Sequence, residues 1–371
     1  MNEQRNAKEI ELAVKPMIQL LEDPSSNFIF GCGWMGEKLL SAIKALGYTV
    51  DGFVVTEKKT EIKDGIPVYS IEKLSQSNNK KNNIFVALRD QDVELIERLK
   101  GIFFNVYPVS YPRDITLIEA KYYLDYFQTR DVDCSNAYLQ LGDYHFVNPF
   151  YKPDDYLLSF VYEAGDLVLP VIYKDEGRID EGTYEYGHTM LQNGDVVLDC
   201  GSNIGLFANI AVQKGCQVYA FEPMPDAIQY LRELNQTLDI KINICPYALA
   251  DRCGTAQFHI QNFDLLGASM LKGHNSIDKN CNVDVITVDQ FVENEKLDRV
   301  DYIKADIEGS ERDMLRGAAK TIQRFHPKIS ICTYHLPDDK EVLESILKAI
   351  EPKYVIEHRW KKMYAYVPEK E

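Results

Sequence analysis

Twice along this chain a short apolar run ends in a glycine turn that opens a helical stretch. The first is Asn27-Phe-Ile-Phe leading into Gly31-Cys-Gly33-Trp-Met-Gly36, and the second is Asp195-Val-Val-Leu-Asp199-Cys leading into Gly201-Ser202-Asn203-Ile-Gly205. After each, apolar runs and helical stretches alternate. That rhythm restricts the fold more than any other feature, because parallel strands need a crossover long enough to hold a helix. The first series predicts strands at 27–31, 48–55, 66–68, 83–88 and 106–109, with helices at 1–24, 37–46, after Ser70 and at 92–99. The second predicts strands at 195–200, 217–221, 242–249, 300–305 and 328–334, and helices at 204–214, 225–238, 311–323 and 340–350. Residues 354–360 and 363–367 read as a closing hairpin across Lys361-Lys362, and 255–260 and 282–288 as a strand pair outside the main rhythm. Between the two series, 117–127 reads as a helix and 165–173 as an edge strand interrupted by proline. The expected organisation is a helix at 1–26, a small Rossmann-like βαβ domain at 27–110, a connecting segment at 111–190 and a larger α/β domain at 191–371.

A length of 371 residues suits two such units, at roughly 100–200 residues per domain. The net charge of −16, from 57 acidic and 41 basic residues, speaks against a chain that mainly grips nucleic acid or anionic membrane. No apolar run reaches the length of a membrane span, and the first fifteen residues lack a signal-peptide core. The eight cysteines are scattered without a CxxC pair, which predicts free thiols and a cytoplasmic setting.

The chemistry concentrates where the second series begins. Glycines after a strand allow a tight turn and close approach of a ligand to the backbone, and the helix that follows presents free N–H groups. The pattern is D-x-G-x-x-x-G. Asp199, placed before the first glycine, would repel a pyrophosphate but accept a hydrogen bond from an ammonium group. Glu222 ends the next strand, where a carboxylate can take both hydroxyls of a ribose. An amino acid joined to a ribose describes S-adenosylmethionine.

Asp195–Gly205 (DVVLDCGSNIG), Phe221-Glu-Pro223 and Ile303–Glu311 (IKADIEGSE) together resemble the FkbM-family methyltransferases, as do Asp175-Glu-Gly177 and Gly182–Gly187 upstream. The resemblance spans about residues 175–368. It implies a seven-stranded, mostly parallel Rossmann-like sheet with an antiparallel final hairpin, dependence on S-adenosylmethionine, and methylation of a hydroxyl on a sugar, nucleotide-sugar or natural product. It also implies that the loop of Asp199, Gly201, Ser202, Asn203 and Gly205 lines the methionine moiety, that Glu222 holds the ribose and that Glu185 approaches the amino group. Where the family often offers an acid or an asparagine to adenine, this chain has Cys245-Pro-Tyr247-Ala248, which leaves Tyr247 as the candidate.

Lys304 and Asp306 lie two apart on a strand and therefore face one side. A buried lysine needs a partner, and Lys304 is expected to neutralise an acidic cluster of Asp306 and Glu308. Both acids and His335, at the end of the next strand, fall at the carboxyl edge where open α/β sheets bind ligands. Methyl transfer to oxygen needs an aligned acceptor and a base or a metal ion. Asp306 is the first candidate and His335 the second. If a metal is used, Asp306, Glu308 and His335 are the expected ligands, to Mg²⁺ or Mn²⁺.

The first glycine loop, Gly31, Gly33 and Gly36, is a G-x-G-x-x-G in the right context but lacks the ribose-binding acid. Asp51 falls too early, and Glu57 is the nearest substitute. This part loosely resembles the front domain of bacterial sugar-modifying enzymes, which implies binding of a nucleotide-sugar or another phosphorylated group. Two alternatives compete with the methyltransferase: a non-catalytic nucleotide-sugar-binding scaffold, and an NAD-dependent oxidoreductase built on the first loop. The acceptor is expected to be a small molecule, and the sequence leaves homo-oligomerisation open.

Overall fold

The computed structural model describes residues 7–57, 60–76, 81–88, 92–109, short pieces between 114 and 147, 182–260 and 279–368. The chain divides into two compact units with the break near residue 180. Most of the predicted 117–127 helix and the predicted 165–173 strand lie outside the described residues.

The first unit opens with α1 (Ala7–Glu22), followed by β1 (Asn27–Phe30), α2 (Trp34–Ala45), β2 (Gly52–Val55), β3 (Ile62–Lys63), β4 (Ile66–Ser70), α3 (Ile71–Gln76), β5 (Asn83–Val86), α4 (Val93–Lys100) and β6 (Asn105–Pro108). The strands form one sheet in the order β3-β4-β2-β1-β5-β6, parallel throughout except for the β3–β4 pair. β1 lies between the strand that follows it and β5, the reversal of order that marks a Rossmann-type switch point. The strand predicted from 48 is shorter than expected: Gly52 starts it, and a Cβ there would meet Tyr69 at 2.7 Å. The N-terminal helix is not a separate element. Val14, Met17 and Leu21 are buried, and the Asn83 amide donates to Leu20 O at 2.7 Å. Asn83 also links Asn27 and Asn105 through their side chains at 2.9 and 2.8 Å, an amide ladder across three strands that satisfies buried polar groups.

The second unit begins for this purpose with β9 (Val196–Cys200), after β7 (Tyr138–Leu141) and β8 (Tyr144–Val147), which form a separate antiparallel pair. Its other elements are α5 (Leu206–Gln213), β10 (Gln217–Phe221), α6 (Pro225–Leu238), β11 (Ile242–Cys245), β12 (Ala248–Leu249), β13 (Gly254–Ile260), β14 (Lys279–Ile286) and α7 (Val288–Asn294). They continue with β15 (Tyr302–Ala305), α8 (Glu311–Gly317), α9 (Ala319–Phe325), β16 (Lys328–Cys332), α10 (Asp339–Ile350), β17 (Val355–Arg359) and β18 (Lys362–Tyr366). The main sheet has seven strands in the order β11-β10-β9-β15-β16-β18-β17. It is parallel up to β16, and the final hairpin is antiparallel, as expected. β9 and β15 are buried at every residue, the pattern of a sheet covered on both faces. β13 and β14 pair antiparallel outside that sheet. The core joins Leu198, Ile303, Ile329 and Ile331 to Met314, Leu315, Leu343 and Leu347 of the covering helices. Among the described residues, no helix is long and apolar enough to cross a membrane.

Candidate active site

The reversal of strand order in the main sheet falls between β9 and β15, and the candidate residues gather at the carboxyl ends of β9, β10, β15 and β16. Gly201 adopts φ +76°, and a Cβ there would meet Asp306 O at 1.9 Å. Only glycine lets these two loops touch. Gly205 repeats the requirement at φ +76°, with Leu231 at 2.5 Å from a built Cβ.

Asp199 and Lys304 are register partners on adjacent strands. The Lys304 ammonium lies 3.0 Å from Asp199 Oδ1, with the two side chains 5% and 0% exposed, and donates to Gly201 O at 2.5 Å. Burial works against its charge, but Asp199 and Asp306 outweigh that and raise its pKa. The expectation that Lys304 chiefly neutralises Asp306 and Glu308 is therefore corrected: its direct partner is Asp199, because the register sets those two side by side. Glu222 follows β10. Its carboxylate accepts the Asn203 N–H at 2.9 Å and the Met224 N–H at 2.8 Å. Burial pushes its pKa up to about 7, against the pull of those two N–H groups.

Asp306 lies one residue past β15. It accepts a hydrogen bond from the Tyr184 hydroxyl at 2.6 Å and lies 3.5 Å from His335 Nε2. Burial opposes its charge, yet Lys304 and His335 hold the carboxyl below its ordinary value. His335 Nε2 is 3.6 Å from Glu308 Oε2, and Nδ1 is 3.0 Å from Glu311 Oε1. Burial alone would lower the imidazole, but Glu311 first, then Asp306 and Glu308, raise it to about 9. Glu308 sits at φ 52° beside Gly309, in the turn that ends the strand.

Three residues of this cluster are not singled out by sequence reasoning. Tyr184 is one. Its backbone O accepts the Tyr302 hydroxyl, its ring packs on Phe207 at 5.3 Å, and Lys362 and Lys304 lie 4.3 and 5.1 Å from the ring. Glu311 is the second, and Tyr334, 3.5 Å from Asp306, is the third. Tyr184 and Glu311 both lie inside the segments quoted above, so the signal was the segment rather than the residue. Glu185 is found elsewhere. It accepts the Leu191 N–H and pairs with Lys214 at 2.6 Å. Asp306, Glu311 and His335, rather than Asp306, Glu308 and His335, form the set with metal-ligand spacing. Tyr247, just past β11, packs against the main core.

In the first unit Gly31 adopts φ +102°, and a Cβ on Gly36 would meet Gly31 O at 1.9 Å. Gly33, by contrast, has open space around it.

Residues 199–362 match the family model of the methyltransferase FkbM domain. The match begins at Asp199 and takes in every member of the cluster at the carboxyl edge except Tyr184. The chain is 29% identical over 132 residues to the hexuronic acid methyltransferase AglP of Haloferax volcanii, covering 36% of this chain and 53% of that protein. It is also 29% identical over 153 residues to the 2-O-methyltransferase NoeI of Sinorhizobium fredii, covering 37% of this chain and 63% of that protein. The matched segments thus span between half and two thirds of these relatives. The crystal structure of methyltransferase FkbM from Methylobacillus flagellatus KT aligns over 97% of this chain and 98% of its own, at 18% identity and a TM-score of 0.39.

Proposed function

We propose that the FkbM domain transfers a methyl group from S-adenosylmethionine to a hydroxyl of a sugar or nucleotide-sugar. The observation that carries this reading is the adjacency of two half-sites at one sheet edge. Asp199 and Glu222 flank the glycine turn, and Asp306 and His335 stand at the ends of the next two strands. The residues present fit the cofactor. Ser202 Oγ, Asn203 Oδ1 and Asp199 Oδ2 are buried without a hydrogen-bond partner, Asp199 Oδ1 has only the Lys304 ion pair, and each Glu222 oxygen keeps a lone pair beyond its one backbone donor. S-adenosylmethionine bound there supplies an electrophilic methyl group on a sulfonium. Asp199 and the turn hold the amino-acid end, Glu222 the ribose, and Tyr247 lies on the adenine side. Asp306 accepts the hydrogen bond of the acceptor hydroxyl and takes up its proton. The printed activities of the two curated relatives, on a hexuronic acid and at a 2-hydroxyl, support a carbohydrate acceptor.

The reading includes a cytoplasmic setting. It also includes a small phosphorylated ligand at the Gly31–Gly36 loop of the first unit, supported by the switch point beside β1. At the end of β2, Thr56 and Glu57 are both exposed, which offers a dinucleotide ribose no ordered acid. Calorimetry with S-adenosylhomocysteine against NADH tests the cofactor. Micromolar binding of the former, about −8 kcal/mol, followed by label transfer from methyl-labelled cofactor to uronic acids or sugar nucleotides, is expected. Binding of NADH alone would overturn the reading in favour of an oxidoreductase. Binding of neither would favour a scaffold.

A further inference from the structure

We infer that Asp306, Glu311 and His335 form a binding site for one divalent cation of the Mn²⁺ or Mg²⁺ class, seated beside the proposed methyl-transfer position. The inference deepens the methyltransferase reading and rests on it for the role of the ion, though not for the ion's binding.

One ligand atom from each of the three residues lies within 4.8 Å of the other two. A cation bonded at about 2.0–2.3 Å to three donors holds those donors about 3 to 4.5 Å apart; Asp306 faces Nε2 of His335 and Glu311 faces Nδ1, so binding one ion takes a small turn of the imidazole to present one nitrogen to both carboxylates. A second observation points to a ligand independently of the spacing. Glu311 is fully buried, and only one of its oxygens is used: Oε1 accepts the Ile307 N–H at 2.8 Å, while Oε2 is buried with no partner. A buried carboxylate oxygen left without a donor costs several kcal/mol, and a protein keeps such a group where something else fills the place. The His335 side chain is 7% exposed, and neither ring nitrogen makes a well-directed hydrogen bond despite three carboxylates around it.

Charge points the same way. Asp306, Glu308 and Glu311 bring three carboxylates to one imidazole. Lys304 is paired with Asp199 and Lys362 with Gly182 O, and both act on Asp306 only across a distance, while Tyr184 gives Asp306 a hydroxyl but no charge. A divalent ion balances this excess, whereas a protonated histidine balances one charge of it. Two carboxylates with one imidazole suit a hard-to-borderline ion, and the imidazole favours manganese over magnesium. Glu308 lies outside the set of three and is the most exposed of the acids, at 36%.

The test uses the full-length protein, stripped with chelator and titrated with MnCl₂ by calorimetry and by the loss of the free-Mn²⁺ electron paramagnetic resonance signal. One ion per chain is expected. Glu311→Gln and Asp306→Asn should each weaken it about 10–100-fold or more. S-adenosylhomocysteine affinity, measured on the same samples, reports both the fold and the cofactor reading. Two results would overturn the site: no stoichiometric Mn²⁺ uptake by a protein that binds S-adenosylhomocysteine, or uptake that both variants leave unchanged. Uptake that depends on Glu311 and Asp306, in a protein that does not bind S-adenosylhomocysteine, would support the cation site and sink the methyltransferase reading instead.

Discussion

Glu222 illustrates how a single residue couples burial to ligand binding. In the ligand-free fold its carboxyl titrates near 7, raised from an ordinary 4.5 by burial, with Lys304 and Asp199 as the charged neighbours. A raised carboxyl pKa means that the fold holds the proton more tightly than the unfolded chain does. Its contribution to stability is thus fully present below about 4.5 and is lost as pH rises towards about 7. Ribose hydroxyls donate to the ionised form. Affinity for S-adenosylhomocysteine should therefore climb with pH up to about 7, by at most about tenfold per unit, and then level off. Glu222→Gln should bind more weakly and lose that slope; a variant that kept it would place the titration elsewhere. Tyr184 acts at the same scale. Tyr184→Phe keeps the ring between Phe207 and Lys362 but removes the donor to Asp306. A hydrogen bond to a charged group is worth about 1.5–3 kcal/mol, so turnover should fall about ten- to hundredfold with cofactor affinity unchanged. Equal losses in both would assign Tyr184 to the fold alone. Asp199, Glu222, Asp306 and His335 were legible because each ends a strand of a recognisable alternation. Tyr184 and Glu311 were not. Their roles depend on a side chain crossing from one loop to another, and no spacing along the chain encodes that crossing.

At the scale of the element, the turns after β1 and β9 resemble each other in sequence and differ in demand. Gly201 has a left-handed φ and touches the Asp306 carbonyl, whereas Gly33 sits at φ −87° with nothing near its missing side chain. Gly201→Ala should cost more than about 1 kcal/mol and abolish S-adenosylhomocysteine binding. Gly33→Ala should stay within about 1 kcal/mol of the parent in denaturant midpoint. If the two were equally harmful, the close approach of the loops would not be what Gly201 provides. The strands and helices themselves were largely readable from periodicity; the helix expected at 92–99 is α4, which Asp92 caps by accepting the Leu95 N–H. Boundaries drifted where local sequence is ambiguous. Residues 48–51 read as strand, but the ladder begins at Gly52, where the chain must pass under Tyr69.

For the whole molecule, two compact units in one chain predict two unfolding events. In a calorimetric scan, S-adenosylhomocysteine at 100 times its Kd should stabilise one transition by about 2.7 kcal/mol and leave the other in place. A joint shift would mean that the units unfold as one. The amino-acid sequence by itself determined that this is an α/β protein with two parallel-rich sheets, that the second ends in an antiparallel hairpin, and which glycine turns open the helices after β1 and β9. Those properties follow from hydrophobic period and from glycines at strand ends, and both are local. Only the tertiary structure decided which charges meet. Strand register put Lys304 against Asp199 rather than Asp306. The path of the chain through the bend at Tyr184 set Tyr184 on Asp306 and Glu185 on Lys214. The first turn of α8 brought Glu311 beneath His335. Pairings across tens to more than a hundred residues are set by how elements pack, and a linear pattern holds no record of that distance.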